Sequence, residues 1–377
     1  PENFKKIYKW LDIKEYLILC ASVEFVMTQD SAFGTLLYDT RKGHEGWCNP
    51  VCKMVGVNIE HMPTIKKSTE EVGKITEKAA KELGLAEGTA VYGGGGDASL
   101  IGVGAGAVEI GDTHIYSGTS GWVGTVVPEQ IVDAGAMMAA IVGVDPEAYN
   151  YFGELETSNK CVSWVKDHLA LDEIGVFLKK YGNASDSFEQ VEFNLYDYLE
   201  EVIDTIPAGS NGVVFTPWLH GNRCPFEDPN AAGMFFNIRL ETGKTELIRA
   251  VVEGICFHMR WMLERQEQKV SKYKKEDTVR FCGGGALGET TCQILSDILQ
   301  RDVVVVESPQ NIGAVGAAAC IAVGMKLIPT MKDVKKLIPV KTIYHPNKAN
   351  KAVYDRNFQV FKNLYKDNKK NFEILNG

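Results

Sequence analysis

The sequence has neither a long apolar run nor an excess of positive charge. None of its apolar stretches approaches the roughly 20 residues that a membrane-spanning helix needs, so a membrane protein is not predicted. Its 40 basic and 49 acidic side chains give a net charge of −9, which excludes a general electrostatic attraction to nucleic acid or anionic lipid. With 45% hydrophobic and 24% charged residues, the composition is typical of a soluble globular protein.

The sequence also lacks a signal peptide and a recognisable metal-ligand set. The nine cysteines form an odd set, and most lie in apolar helical patterns, where a reduced thiol behaves as a small hydrophobic group. His44, Cys48 and Cys52 are spaced to share one helical face, but no fourth zinc ligand is near them. We therefore predict no metal-binding residue and expect a cytoplasmic protein.

A strand, a glycine cluster and a helix follow one another twice along the chain. At 377 residues the chain exceeds the ~250–300 that one core usually supports, so we expect two domains. The first repeat is a strand at 89–92, four glycines and a helix at 98–107; the second is a strand at 278–282, three glycines and a helix from Leu287. Other predicted elements are antiparallel strands at 114–117, 122–127 and 137–144, a long helix at 244–266, a small-residue helix at 314–323, and short helices without any strand over 2–54.

The first glycine cluster ends in a carboxylate. Four glycines let another molecule approach the backbone, and Asp97 stands at the start of the helix that follows. Asp97 has two interpretations at this point: a reactive carboxylate at a cleft, or a helix N-cap worth about 1 kcal/mol. Downstream, Gly118 and Thr119 belong to a small-residue turn that fits either a phosphate cradle or an ordinary hairpin.

Two common nucleotide-binding motifs are absent. Gly243-Lys244-Thr245 resembles the end of a Walker A loop, but the required first glycine falls at Ile238, inside an apolar strand. The glycines at 102, 104 and 106 do not have the G-x-G-x-x-G spacing of a dinucleotide-binding fold. A carboxylate beside a phosphate cradle instead favours phosphoryl transfer.

Six short segments, in three regions of the chain, resemble one protein family. They are GMFFNI at 233–238 followed after seven residues by ELIRAVVE at 246–253, then GNRCP at 221–225 with DPN at 228–230, and EF at 24–25 with GTLLYD at 34–39. Together they resemble the signature regions of the FGGY carbohydrate kinases, members of the actin-like ATPase superfamily. Within that family the chain is most similar to the xylulokinases. One departure is Asn237, which stands where a glycine is usual.

The resemblance implies a site for ATP. Gly118 and Thr119 match the turn that meets the terminal phosphates of the nucleotide. The other nucleotide-binding positions that it implies are Asn159, Ser163, Gly284, Gly285 and Glu289. Glu289 departs from the family, because a neutral polar residue is common there. ATP and Mg²⁺ are the implied cofactors.

The resemblance also implies a sugar site. Asp97 matches the general base, which takes the proton of the sugar hydroxyl as it attacks the γ-phosphate. Trp122 matches an aromatic position beside the sugar, and Ala98 replaces a glutamine that often touches substrate. The implied reaction converts D-xylulose to D-xylulose 5-phosphate. Gluconate, ribulose and glycerol stay open as substrates, as does a non-catalytic nucleotide- or sugar-binding protein with the same fold.

The fold implied by the resemblance is a two-lobed α/β architecture, the actin-like (ribonuclease H-like) ATPase fold. We expect residues 1–107 to form the remainder of the N-terminal lobe and 108–377 the C-terminal lobe with the nucleotide site. The family begins with a D-x-G-T phosphate hairpin that this sequence lacks. We therefore expect a chain that matches the last three quarters of such a kinase, with an incomplete N-terminal lobe, and that is inactive or weakly active alone. The expected partners are a small-molecule sugar and a second copy in a homodimer, with no nucleic acid or membrane.

Overall fold

The structure is a computed structural model that describes residues 2–145, 147–169, 188–273 and 277–377. Within those residues the α-helices are α1 (Ile13–Ser22), α2 (Gln29–Gly34), α3 (Asn49–Met54), α4 (Glu77–Leu83), α5 (Asp97–Gly104), α6 (Asn159–His168), α7 (Phe188–Asp204), α8 (Lys244–Val270), α9 (Glu289–Leu299), α10 (Ile312–Gly324) and α11 (Lys351–Asn376). The strands are β1 (Val26–Thr28), β2 (Tyr38–Asp39), β3 (Gly46–Trp47), β4 (Thr64–Lys66), β5 (Glu71–Lys74), β6 (Ala90–Tyr92), β7 (Thr113–Ser117), β8 (Gly121–Val127), β9 (Val132–Asp133), β10 (Met138–Val142), β11 (Tyr149–Leu155), β12 (Val214–Thr216), β13 (Met234–Phe236), β14 (Thr278–Cys282), β15 (Asp302–Val306) and β16 (Val340–Tyr344). The fold is therefore mixed α/β, as the sequence predicts.

A mixed eight-stranded sheet organises the larger part of the described chain. Its strand order is β16-β15-β14-β7-β8-β11-β10-β9. At its centre β14 runs parallel to both β7 and β15, whereas β7 and β8 are antiparallel. Because the carboxyl ends of parallel strands meet at one edge, the turns that follow β7 and β14 lie side by side. Both turns are glycine-containing segments singled out from the sequence.

The predicted three-strand order in this sheet is wrong in one respect. The strands predicted at 122–127 and 137–144 do not pair directly, because β11 lies between β8 and β10. The sequence of β11, YNYFGEL, contains Asn150 and Glu154, which interrupt its apolar character. Its strand conformation depends on pairing with β8 on one side and β10 on the other.

The prediction of no strand over 2–54 is also wrong. That segment contains β1, which pairs in parallel with β4, and the antiparallel pair of β2 and β3. These strands are two or three residues long. Such lengths are too short to show the alternation by which a strand is recognised in sequence.

Helices α5 and α10 cross with their backbones in contact. A Cβ atom placed on Gly104 would lie 1.9 Å from the carbonyl oxygen of Ile312, and one on Gly316 would lie 2.2 Å from that of Leu100. Only glycine permits this approach, which confirms the prediction that the small-residue helix packs closely. The crossing fixes α5, whose first residue is Asp97.

The two glutamates of the family signature at 246–253 stabilise the fold. The signature lies on α8, a long helix most of whose middle is buried. Glu246 accepts a hydrogen bond from the N–H of Gly243 at 3.1 Å and so satisfies a donor at the helix start. Glu253 is 1% exposed and pairs with Arg249 at 2.8 Å. Asn237, where the family usually has glycine, has a φ of 66°, in the left-handed region that favours glycine.

The cysteines and the helices bear on two further expectations. All nine cysteines are free thiols, seven of them buried, which agrees with the expected small hydrophobic role. Burial raises the pKa of the Cys161 thiol to about 12, so that thiol stays protonated at neutral pH. In the described part of the chain, no helix combines the length and the apolar character needed to cross a bilayer.

Two buried histidines should make the fold sensitive to acid. Burial lowers the pKa of His258 to about 4, and the same holds for His114. His258 accepts a hydrogen bond from the Trp218 indole at 3.2 Å and donates one to the Cys224 carbonyl at 2.6 Å, so the neutral ring is already satisfied. Because the folded pKa lies below the ordinary value, each ring stabilises the fold fully above about pH 6.5 and less as the pH falls toward 4.

We therefore expect the free energy of unfolding to fall by about 2 kcal/mol per buried ring between pH 7 and about pH 5. Urea unfolding at the two pH values measures the loss. The variant His258→Gln removes one of the two buried rings and should therefore reduce the pH dependence. Equal pH dependence in the wild type and in His258→Gln would show that His258 does not titrate in this range.

Candidate active site

The glycine cluster before α5 is a tightly packed turn. Gly94 has a φ of 65°, which a side chain rarely adopts. A Cβ atom on Gly93 would lie 2.8 Å from the carbonyl oxygen of Lys67, and one on Gly95 would lie 2.5 Å from a methyl group of Val144. The cluster is therefore needed for the path of the chain itself, which leads from β6 directly into α5.

Asp97 is the first residue of α5 and is exposed. The N-cap residue is Gly96, so the interpretation of Asp97 as the N-cap is wrong. Its Oδ1 accepts a hydrogen bond from the N–H of Ala98 at 2.7 Å. Within the described residues Oδ2 accepts no hydrogen bond. One oxygen is therefore available to a substrate hydroxyl.

Two side chains from the sheet lie within electrostatic range of Asp97. Burial raises the pKa of the Tyr116 phenol, and the charge of Asp97 adds to that rise. Burial also raises the pKa of Glu154, and the charge of Asp97 adds a smaller part of that rise. Arg223 pairs with Glu154 at 2.6 Å and with Glu156 at 3.0 Å. We call Asp97, Tyr116, Glu154, Glu156 and Arg223 the acceptor-side cluster.

Trp122, predicted to lie beside the sugar, is almost enclosed in the protein. Its side chain is 4% exposed, and its indole N–H donates to His114 at 3.1 Å. The Tyr116 ring stacks on it, with centroids 4.0 Å apart. Tyr116 is half-buried and therefore covers one face of Trp122. Contact between Trp122 and a sugar stays a prediction, as does any contact from Ala98, whose carbonyl accepts from Asn150 at 3.2 Å.

The turn at Gly118 and Thr119 is tied to the start of α6. The N–H of Ser158 donates to the Thr119 carbonyl at 3.0 Å, and that of Asn159 donates to the Gly118 carbonyl at 2.9 Å. The Asn159 side chain accepts from the Ser117 hydroxyl at 3.0 Å and donates to the Ser117 carbonyl at 3.1 Å. Asn159 thus holds the turn rigidly against the helix.

The second glycine turn packs directly on the first. Gly283 has a φ of 90°, and a Cβ atom there would lie 2.5 Å from the Ser117 carbonyl oxygen. One on Gly285 would lie 2.8 Å from the Ser117 hydroxyl. The parallel pairing of β7 and β14 brings these turns together, although they are far apart in the sequence.

A large cavity opens beside the two turns. Its volume is about 960 Å³, near the upper end of the usual range for small-molecule sites. Among its lining residues are six of the predicted nucleotide-binding positions, namely Gly118, Thr119, Asn159, Ser163, Gly284 and Gly285. The structure therefore brings these six positions to one cavity, and their contact with a nucleotide stays a prediction.

Glu289 does not line this cavity. It is the exposed first residue of α9. Burial is the main cause of the raised pKa values of Cys292 and Tyr344, and the charge of Glu289 adds to both. Instead Glu200, from α7, lines the cavity and accepts from the backbone N–H of Thr291 at 3.0 Å. Burial raises the pKa of Glu200. The sequence prediction missed Glu200 because its only sequence signal is an acidic residue within an amphipathic helix.

The Tyr116 hydroxyl links the two parts of the site. A Cβ atom on Gly118 would lie 2.3 Å from that hydroxyl, so Tyr116 lies against the turn at the cavity mouth. Tyr116 is also within electrostatic range of Asp97. An amide-rich turn that lines a cavity, with an exposed carboxylate within electrostatic range of the tyrosine that packs on the turn, is an arrangement suited to phosphoryl transfer. Fold and site together are of the actin-like ATPase class.

Two family models cover most of the chain. Residues 1–104 match the N-terminal domain of the FGGY family of carbohydrate kinases, and residues 114–325 match its C-terminal domain. The chain therefore belongs to the FGGY family of carbohydrate kinases and is a sugar kinase. The predicted boundary between 107 and 108 falls between the two matched ranges and stays a prediction.

Individual relatives agree with the family assignment. The chain is 28% identical to "Xylulose kinase" of Bacillus subtilis (strain 168), over 97% of the chain and 68% of the relative. It is 24% identical to "Gluconokinase" of the same strain, over 82% of the chain and 57% of the relative. Among solved structures, it resembles a ligand-bound xylulose kinase from Lactobacillus acidophilus with a TM-score of 0.82 at 22% identity, over 98% of the chain and 69% of that structure. A gluconate kinase from L. acidophilus gives 0.81, with the same identity and coverage.

Proposed function

We propose that this kinase transfers the γ-phosphate of ATP to a hydroxyl of a ketopentose, and that D-xylulose, converted to D-xylulose 5-phosphate, is its substrate. The observation that carries the proposal is the position of Asp97. Its carboxylate lies within electrostatic range of Tyr116, and the hydroxyl of Tyr116 lies against the turn of Gly118 and Thr119 that lines the cavity. A sugar beside Asp97 and a nucleotide in the cavity would meet at that turn.

In the proposed reaction Asp97 acts as the general base. Its free oxygen takes the proton from the sugar hydroxyl while that hydroxyl oxygen forms a bond to the γ-phosphorus. The bond between the γ-phosphorus and the bridging oxygen of ATP breaks, and ADP leaves. The backbone N–H groups of Thr119, Gly284 and Gly285 would stabilise the charge that develops on the phosphoryl oxygens, whereas those of Gly118 and Gly283 already donate to the carbonyls of Ser120 and Pro309. Asn159 keeps the turn in place for this task.

Mg²⁺ belongs to the proposal only as a companion of the nucleotide. Protein-bound Mg²⁺ usually has one or two carboxylate ligands together with substrate phosphates. Within the described residues, no group of three or more His, Cys, Asp and Glu side chains could hold a metal ion. Mg²⁺ would therefore be held chiefly by the nucleotide phosphates, and we derive no step through it.

The acceptor-side cluster favours a neutral sugar over gluconate. Three of its members, Asp97, Glu154 and Glu156, are acidic, and its one cation, Arg223, is already paired with both glutamates. The carboxylate of gluconate would meet net negative charge there, whereas the hydroxyls of a ketopentose can donate hydrogen bonds to it. Gluconate is the second candidate substrate, because gluconate kinases resemble the chain nearly as well in sequence and in structure.

A coupled assay of ADP release tests the substrate proposal. With the full gene product, we expect sugar-dependent ADP release to have its highest kcat/KM with D-xylulose, followed by D-ribulose, and to be at least about tenfold lower with gluconate and glycerol. Matched incubations without sugar measure the background hydrolysis of ATP. A higher kcat/KM for gluconate or glycerol than for D-xylulose would contradict the proposal.

A further inference from the structure

A buried carboxylate lies directly beneath the glycine turn that precedes Asp97. It belongs to Asp30 on α2, which is 8% exposed. Its Oδ2 accepts a hydrogen bond from the N–H of Gly96 at 2.8 Å. Its Oδ1 accepts from the hydroxyls of Thr28 at 2.5 Å and Ser68 at 3.3 Å. Both oxygens are thus engaged, and one of them holds the residue next to Asp97.

The carboxylate of Asp30 packs closely against the turn. A Cβ atom on Gly95 would lie 2.9 Å from Asp30 Oδ2. The carboxylate therefore lies against the backbone of two consecutive glycines. A hydrogen bond from a backbone N–H to a charged carboxylate is among the stronger ones in proteins. Four consecutive glycines have no side chains of their own to fix their conformation, so this external contact restrains them.

The other end of the turn is held by Lys14 on α1. Its ammonium group donates to the Gly93 carbonyl at 3.3 Å and to the Thr28 hydroxyl at 2.8 Å. Thr28 is fully buried, and its hydroxyl donates a hydrogen bond to Asp30. The chain Lys14–Thr28–Asp30 therefore runs beneath the turn from Gly93 to Gly96.

We propose that Asp30 is a positioning residue for phosphoryl transfer, which fixes the start of α5 and thereby the carboxylate of Asp97. The proposal rests on the proposed function of Asp97 as the base. Asp30 does not touch the substrate; it acts through the Gly96 N–H. Because a displacement of about 1 Å in a reacting group can cost on the order of a hundredfold in rate, a small movement of the turn is sufficient for a large effect.

The test compares kcat, the affinity for ADP and the melting temperature in the full gene product. We expect Asp30→Ala to lower kcat about 10- to 100-fold and to leave the Kd for ADP within about twofold, because Asp30 does not line the nucleotide cavity. Asp30→Asn should recover most of the kcat, since its amide oxygen can still accept from Gly96. Asp39→Ala, which removes an ion-paired carboxylate elsewhere in the N-terminal part, is the matched control and should leave kcat unchanged.

Each outcome decides the proposal. Wild-type kcat in a folded Asp30→Ala protein would overturn it, as would a loss that Asp30→Asn does not relieve. If Asp30→Ala does not fold, the variant Thr28→Val takes its place, because it has nearly the same volume but lacks the hydroxyl that orients Asp30. A lower kcat of Thr28→Val with unchanged ADP affinity supports the proposal. A wild-type kcat overturns it. A wild-type kcat in Asp97→Asn would contradict the proposed function. A wild-type kcat in Asp30→Ala alone would contradict only the positioning role of Asp30 and would leave the proposed function intact.

Discussion

Replacing Asp97 by asparagine is expected to reduce sugar phosphorylation by about 10²–10⁴-fold, the usual contribution of a general base. The amide has nearly the same size but cannot take the proton of the attacking hydroxyl. The affinity for ADP should stay within about twofold, because Asp97 does not line the cavity beside Gly118. Steady-state ADP release gives the first quantity, and calorimetric titration of ADP gives the second.

A matched control separates this effect from a general loss of negative charge. Asp367 is exposed on α11, far along the chain from the site, so Asp367→Asn should have wild-type kinetics. Turnover of Asp97→Asn within about tenfold of the wild type would show that another group takes the proton. Loss of ADP affinity together with turnover would point instead to a disturbed fold.

The second large effect concerns stability. Glu253 accepts hydrogen bonds from Arg249, from the Gly209 N–H at 2.9 Å, and from the hydroxyls of Ser210 at 2.8 Å and Tyr354 at 3.1 Å. Glu253→Ala leaves the Arg249 guanidinium buried without its counter-charge. We expect this change to lower the free energy of unfolding by about 3–5 kcal/mol, measured by urea denaturation.

The other glutamate of the same signature provides the comparison. Glu246 is half-buried at the start of α8 and accepts a hydrogen bond from the Gly243 N–H. Glu246→Ala should therefore cost only about 1 kcal/mol, as the loss of a capping interaction does. If the two substitutions cost the same, the buried pair would not have the structural importance assigned to it.

The sequence allowed the glycine-based parts of the site to be predicted. The family resemblance implied Gly118, Gly284 and Gly285, and these glycines lie in the turns that follow β7 and β14. The parallel pairing of β7 with β14 then brings those turns together. Likewise, Asp97 follows four glycines and begins a helix, which local reasoning could recognise.

Residues that depend on distant packing could not be predicted in the same way. No sequence motif marks Tyr116, Glu200 or Asp30. Tyr116 matters because it is within electrostatic range of Asp97, and Glu200 because it binds the start of α9. Asp30 matters because it binds the glycine turn. Glu289 shows the opposite case, since its position in the sequence matches the site but its side chain does not line the cavity. The signature at 246–253 identifies the family through a helix cap and a buried ion pair, both of which stabilise the fold.

The most direct test of the central claim is a crystal structure of the full gene product with D-xylulose and a non-transferable ATP analogue. The proposal predicts a sugar hydroxyl oxygen about 2.6–3.2 Å from an oxygen of Asp97, with the terminal phosphate of the analogue against the turn of Gly118 and Thr119. A sugar bound with no hydroxyl within reach of Asp97, or a terminal phosphate away from that turn, would contradict it.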